Sequence, residues 1–319
     1  MDIDYLLLLQ NFREATGNVL SPFMGEVSKF AVSNLPFMFM FLIYWALDRQ
    51  AGKRIIFGMA LGNLMNGFLK LVFCVYRPWI RDARVLPYGD AKVAATGYSF
   101  PSGHSTFATG IFGGIGVWQY KQRHRVIAAL CWIFMALVMF SRNYLGVHTP
   151  QDVLVGFAST AIMIWVAYRI EAWTDEDNSR DLIVMIVGIA VCVAAGIFYF
   201  VKPYPLDYAA DGSLLVDPAV MRIDSFQGIG FVSAYVIARY FERRFKFDTE
   251  LDFRTRLVIG LIALVPMYLW IDVVQTPLAA AIGSVPAMTL RFGVMTLYAM
   301  VLVPWIMSLV ARKKGVAAA

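Results

Sequence analysis

The chain has 319 residues, of which 59% are hydrophobic and only 16% charged. Soluble domains carry about 25% charged and about 45–50% apolar residues, so an ordinary soluble enzyme is excluded. The net charge of +6 would suit a nucleic-acid binder, but the basic residues lie in short clusters between apolar runs. That pattern argues for membrane topology and against nucleic acid.

Residues 1–30 mix Leu6–Leu9 and Phe12 with Arg13 and Glu14, which predicts an interfacial amphipathic helix. The acidic start (Asp2, Asp4) and the short run Tyr5–Leu9 do not read as a cleavable signal peptide. Nine apolar segments follow, at 31–48, 54–76, 103–120, 125–144, 151–170, 182–201, 225–241, 256–275 and 288–311. Each approaches the roughly 20 residues that a helix needs to cross hydrocarbon. The expected fold is an all-α polytopic transmembrane bundle of about nine spans. The segment 225–241 is the weakest, because Gln227, Ser233 and Arg239 interrupt it; were it re-entrant, eight would remain. Residues 31–171 are read as the core and 182–311 as additional C-terminal helices. Cys74, Cys131 and Cys192 sit inside apolar runs at no metal-like spacing and read as inert thiols.

The connections 48–54 and 121–125, the cluster Arg243, Arg244 and Lys246, and the terminal Arg312, Lys313 and Lys314 all fall on one side of a nine-span chain. The positive-inside rule makes that side cytoplasmic. The acidic connection 171–181 shares it, and carries little topological weight. The N-terminus and residues 77–102, 142–150, 202–224 and 276–287 then face outward. Arg77, Arg81 and Arg84 stand on this translocated side against the rule, which a functional demand for cations would explain.

Three clusters on the outward face carry chemistry. In Lys70-x6-Arg77-Pro78, a spacing of seven puts both cations on one helical face, with Lys70 about two turns below the helix end. An intramembrane lysine reads as functional by default, although snorkelling alone would also place it there. In Pro101-Ser102-Gly103-His104, Ser102 is a candidate N-cap and the amides beyond it suit an anion. In Ser141-Arg142-x5-His148-x3-Asp152, Thr149 and Pro150 open a helix whose first turn holds Asp152. A carboxylate there can orient the His148 imidazole, and can also serve a capping box.

These three patterns, in this order and spacing, resemble the signature of the type 2 phosphatidic acid phosphatase superfamily. Glucose-6-phosphatase, the sphingosine-phosphate phosphatases and the soluble vanadate haloperoxidases share it. The resemblance covers residues 70–152, about a quarter of the chain. It implies a vanadate-haloperoxidase-like helical core in which His148 is a nucleophile oriented by Asp152. His104 would protonate the leaving oxygen, and Lys70, Arg77, Ser102, Gly103 and Arg142 would hold the phosphate. The basic groups supply charge that a metal supplies elsewhere, so no cofactor is expected; Asp207, Asp211 and Asp217 read as solvated charge and His124 as a loop residue. One span before the lysine, rather than the two of six-span lipid phosphatases, is similar to glucose-6-phosphatase and the sphingosine-phosphate phosphatases. The expected activity is hydrolysis of a lipid phosphate or diphosphate at the non-cytoplasmic face. Transfer to another lipid or sugar, or a soluble phosphate ester as substrate, remain open on the same residues, while a non-enzymatic lipid transporter fits the intact set poorly. Oligomeric state has no sequence signal.

Overall fold

All nine apolar segments fold as helix in the computed structural model, which describes residues 2–95, 97–245, 247 and 251–313. Lys246 and Lys314 of the basic clusters lie outside the described residues. In chain order the helices are α1 (Asp2–Ala15), α2 (Ser21–Ala31), α3 (Asn34–Leu42), α4 (Arg49–Phe73), α5 (Pro78–Arg81), α6 (Ala91–Ala94), α7 (Gly103–Ala108), α8 (Gly114–Lys121), α9 (Arg125–Tyr144) and α10 (Pro150–Glu176). The chain continues through α11 (Arg180–Val201), α12 (Pro218–Phe245), α13 (Phe253–Leu269), α14 (Gln275–Ile282), α15 (Ser284–Leu297) and α16 (Val303–Lys313). Wide π-helical turns extend α3 (Ile43–Leu47) and join α7 to α8 (Thr109–Gly113), α13 to α14 (Trp270–Val274) and α15 to α16 (Tyr298–Leu302).

Six stretches are long and apolar enough to cross a bilayer: Arg49–Arg81, Arg125–Tyr144, Pro150–Glu176, Arg180–Val201, Phe253–Ile282 and Ser284–Lys313. The pair α2 and α3, bent by 42°, makes a seventh if taken as one broken span. The rod α7–α8 and helix α12 are helical but too polar for that measure, so the expected nine is not reached by it. Residues 1–30 form two helices rather than one. Gly17 and Asn18, both at φ 61°, take the left-handed conformation that ends a helix and turns the chain.

Helix α4 is the central rod, with α10 and α12 packed along it. Lipid gives no hydrophobic drive for helix pairing, so small residues that let backbones approach decide where helices meet. Gly58 faces Ile164 and Gly62 faces Thr160 across the α4–α10 contact. A Cβ on Gly228 would lie 2.5 Å from the Leu64 Cα, and one on Gly230 1.9 Å from the Thr289 carbonyl oxygen of α15. α12 therefore joins the core to the C-terminal helices.

Two sequence anomalies explain each other. Arg239, which interrupts the seventh segment, is 1% exposed and donates to Glu171 and, at 3.0 Å, to Asp181. These carboxylates come from the acidic 171–181 stretch, whose Glu171 and Asp181 are buried while Asp175, Glu176 and Asp177 stay exposed. Tyr235 donates to Glu171 at 2.7 Å, and Arg243 reaches Asp181 at 3.2 Å. Glu242 accepts from Arg49 at 2.8 Å, adding α4 to the network of α10, α11 and α12.

Removing one partner of a buried ion pair leaves the other charge stranded, at a cost of about 3–5 kcal/mol. Arg239→Ala is therefore expected to lower the thermal unfolding midpoint in detergent by more than Gly230→Val, where overpacking costs about 1–3 kcal/mol. Tryptophan fluorescence melts would show both shifts; a wild-type midpoint in Arg239→Ala would contradict the buried network.

Candidate phosphate site

The end of α4 sets the first cluster. Cys74, at φ 49°, caps the helix in the left-handed conformation. The Lys202 ammonium donates to the Leu71 carbonyl and, at 3.0 Å, to that of Val72, closing the helix end. The helix ends four residues before Arg77, so Lys70 lies in its last turn rather than two turns below its end, and the two cations do not share a helical face. Lys70 donates to the Tyr98 carbonyl at 2.9 Å. The chain then extends to Arg77, which is 5% exposed and donates from Nε to the Gly97 carbonyl at 3.0 Å and from Nη1 to that of Val147 at 3.1 Å.

The Arg77 Nη1 also lies 2.9 Å from the Nε2 of His148. A guanidinium only donates, so Nε2 accepts and the imidazole proton is assigned to Nδ1. Behind Nδ1 stands Asp152, with Oδ2 at 3.5 Å. That oxygen also accepts from the Ser99 hydroxyl at 2.6 Å and the Thr149 amide at 2.8 Å, while Ser99 Oγ lies 3.4 Å from Nδ1. Thr149 in turn accepts from the Asp152 amide at 3.3 Å, completing the capping box. Asp152 thus caps α10 and backs His148 together. Asn143 donates to the His148 carbonyl at 2.9 Å and Gly146, at φ 75°, turns the chain between α9 and α10.

Ser102 caps α7, accepting from the Ser105 amide at 3.3 Å, and its own amide donates to the Asp152 carbonyl at 2.8 Å. A Cβ on Gly156 would lie 2.7 Å from the Ser102 carbonyl oxygen, so this glycine lets α10 press the second cluster against the third. Asn66 of α4 ties in the same turn, donating to the Thr106 hydroxyl at 3.0 Å. Arg142, 3% exposed near the end of α9, donates to the Ser28 hydroxyl.

One cavity of about 160 Å³ gathers Lys70, Arg77, Gly103, His104, Arg142 and His148 on its wall. Ser102 and Asp152 are not on that wall; one caps the helix and the other lies behind the imidazole. Burial, and next the Arg77 charge, push the His148 imidazole well below its ordinary pKa, which favours the neutral ring.

The structure also corrects and extends the sequence reading. Of Arg77, Arg81 and Arg84 only Arg77 lines the cavity. Arg81 pairs with Asp2 at 2.7 Å and Arg84 with Asp82 at 2.6 Å, so both are accompanied by local acids. Asp211 accepts from the Ser213 amide at 2.9 Å, Asp217 from the Ala219 amide at 2.8 Å, and Asp207 from the Tyr76 hydroxyl. His124 is held by Gln119, at 2.8 Å from Nδ1. Among the described residues no group of His, Cys, Asp or Glu is arranged to hold a metal ion. Ser99, Asn66, Asp224 and Gln227 carried no site signal in sequence. The last two come from α12, which Gln227, Ser233 and Arg239 marked as unusual by interrupting an apolar segment.

Comparison with known proteins agrees with the geometry. Residues 51–176 match the model of the PAP2 superfamily. Sphingosine-1-phosphate phosphatase 1 of Rattus norvegicus is 28% identical over 209 residues, covering 57% of this chain and 46% of the relative. The glucose-6-phosphatase catalytic subunit 1 of Haplochromis nubilus is 24% identical over 193 residues, 54% of each chain. Phosphatidylglycerophosphatase B of Escherichia coli (strain K12) is 38% identical over 80 residues, 24% of this chain and 31% of the relative. The matched stretch spans about half the length of the first two relatives. No solved structure matches the chain significantly. Every residue of the three clusters, from Lys70 to Asp152, falls inside the stretch 51–176 that is similar to the PAP2 superfamily.

Proposed function

We propose that the protein is an integral membrane phosphatase that hydrolyses a lipid phosphate or lipid diphosphate through a phosphohistidine formed on His148. The observation that carries this reading is the single cavity in which three cations and His104 surround the accepting nitrogen of His148. Lys70, Arg77, Arg142 and the backbone at Gly103 draw the phosphate oxygens in and stabilise the charge that builds on them in transfer. The Nε2 lone pair attacks phosphorus, the bond to the ester oxygen breaks, and the electron pair stays on that oxygen. His104 supplies the proton that this oxygen takes up. Asp152, steadied by Ser99, holds Nδ1–H and balances the positive charge on the phosphorylated ring. Water, losing a proton to His104, then attacks phosphorus, releasing phosphate and restoring His148.

In this reading the helices 34–47, 103–121 and 218–245 complete nine embedded rods, and residues 1–30 lie along the interface. The core is 31–171, and 182–311 are extra spans. The cavity and the N-terminus face away from the cytoplasm and the C-terminus faces it, as the basic connections require.

Purified protein should release phosphate from lipid phosphates or diphosphates in detergent micelles, with and without chelator, and vanadate should inhibit it. His148→Ala should lower kcat by at least roughly a thousandfold, the order lost when a nucleophile is removed. Full activity in that variant would end the proposal, and labelled phosphate passing to an added lipid or sugar alcohol would identify a transferase instead. Because its pKa is depressed, His148 stays neutral as pH falls through the ordinary histidine range. With only three histidines in the chain, the ¹³Cε1 NMR signal lost in His148→Gln should titrate with a midpoint below about 6.5, the unperturbed value. A midpoint above it would contradict the buried, cation-flanked environment.

A further inference from the structure

Asp224 sits where a phosphate site should not want it. It lines the same cavity as Lys70, His104 and His148, and a carboxylate there repels the anion that the cations attract. The contact of Gly67 with Ser225 across α4 and α12, 3.0 Å from a Cβ built on the glycine to the serine Cβ, places Asp224 level with Lys70 near the end of α4. Yet the two do not form an ion pair. Lys70 donates to a backbone carbonyl, and Asp224 makes no hydrogen bond or ion pair with any described residue. Its electrostatic neighbours, Lys70 and Arg291, act on it from farther off. A half-buried carboxylate without a partner is kept at a cost, and that cost is offset only when something else supplies a donor.

Its second surface indicates what that is. Asp224 also lines an adjoining cavity of about 340 Å³ between α12, α14 and α15, walled by Val220, Ile223, Ala279, Met288 and Arg291 among others. It stands at the junction of a cationic cavity fit for phosphate and a larger, mostly apolar one fit for a hydrocarbon chain. A phosphate ester spanning both would carry its first carbons past this carboxylate. An ionised carboxylate only accepts hydrogen bonds, so the group that complements it is a donor on those carbons. Resting on the phosphatase reading above, we propose that Asp224 is a specificity residue. It selects phosphate esters whose leaving alcohol bears a hydrogen-bond donor, a hydroxyl or an ammonium, within two carbons of the ester oxygen. The C-terminal helices, on this view, build the pocket for the leaving group.

The test compares octadecyl phosphate with its two analogues bearing a hydroxyl or an ammonium on the second carbon, in mixed micelles with the full-length protein. Wild type should favour the donor-bearing analogues in kcat/KM by about tenfold or more, the scale of a hydrogen bond to a charged group. In Asp224→Ala that preference should collapse towards unity. Asp224→Asn should separate the two sources, because its amide oxygen still accepts from a hydroxyl while the charge that favours an ammonium is gone. Equal turnover of all three by wild type would overturn the proposal and leave the phosphatase reading standing. The same fall on all three in Asp224→Ala would also overturn it, showing Asp224 to be merely structural. No turnover of any of the three by wild type would overturn both.

Discussion

The structure turns on how cations are held inside a bundle that lipid surrounds. A buried charge must find polar partners, and the chemistry of those partners decides what the charge can do. At one end of the bundle Lys70 and Arg77 donate to the carbonyl oxygens of Tyr98, Gly97 and Val147, and Arg142 to a serine hydroxyl. Neutral oxygens solvate a cation without cancelling it, so the positive field stays in the cavity for an anion. At the other end Arg239 and Arg243 are held by Glu171, Asp175 and Asp181. There carboxylates cancel the charge, and the result is a clamp between helices. One bundle thus leaves its cations uncancelled around a cavity at one end and pairs them for cohesion at the other.

The cavity depends on both. Its cations and imidazoles sit on α4 and the extended chain after it, the start of α7, the end of α9 and the loop before α10, and these are brought together by close backbone approaches. Gly156 lets α10 meet the Pro-Ser-Gly-His turn, and Gly58 and Gly62 let it meet α4. The Arg77 contact to Nε2 and the Asp152 carboxylate behind Nδ1 then fix the imidazole from both sides. A shift of α12, which the Arg239 clamp and the Gly228 and Gly230 contacts hold in place, would move Asp224 and Gln227 relative to Lys70.

What the sequence revealed follows from which contacts are local. His148 and Asp152 lie four residues apart across the capped start of α10, so their joint placement is written in the chain, as is the helical nature of each apolar run. Lys70 and Arg77 do not share the expected helical face, because α4 ends at Phe73 and Arg77 follows on extended chain. Non-local partners leave no such trace. Ser99 reaches Asp152 because the loop from α6 to α7 folds back under His148. Asp224 comes from a helix that begins after the next two spans. Arg239 and the acids at 171–181 each looked anomalous alone, and only their pairing gives either a reason. The count of spans was the least legible feature, because helices buried among other helices, such as α12 and α7–α8, can carry polar residues that hydropathy reads as loop.

The central claim is that phosphorus passes through the Nε2 of His148. Alkaline quench of the enzyme with a ³²P-labelled lipid phosphate, followed by peptide mapping at high pH, tests it most directly. A base-stable, acid-labile phosphoryl group on His148, accumulating in His104→Ala if that variant still transfers and absent in His148→Ala, is the predicted result. Label on another residue, or turnover in which no phosphoenzyme forms and His148→Ala remains active, would contradict the account.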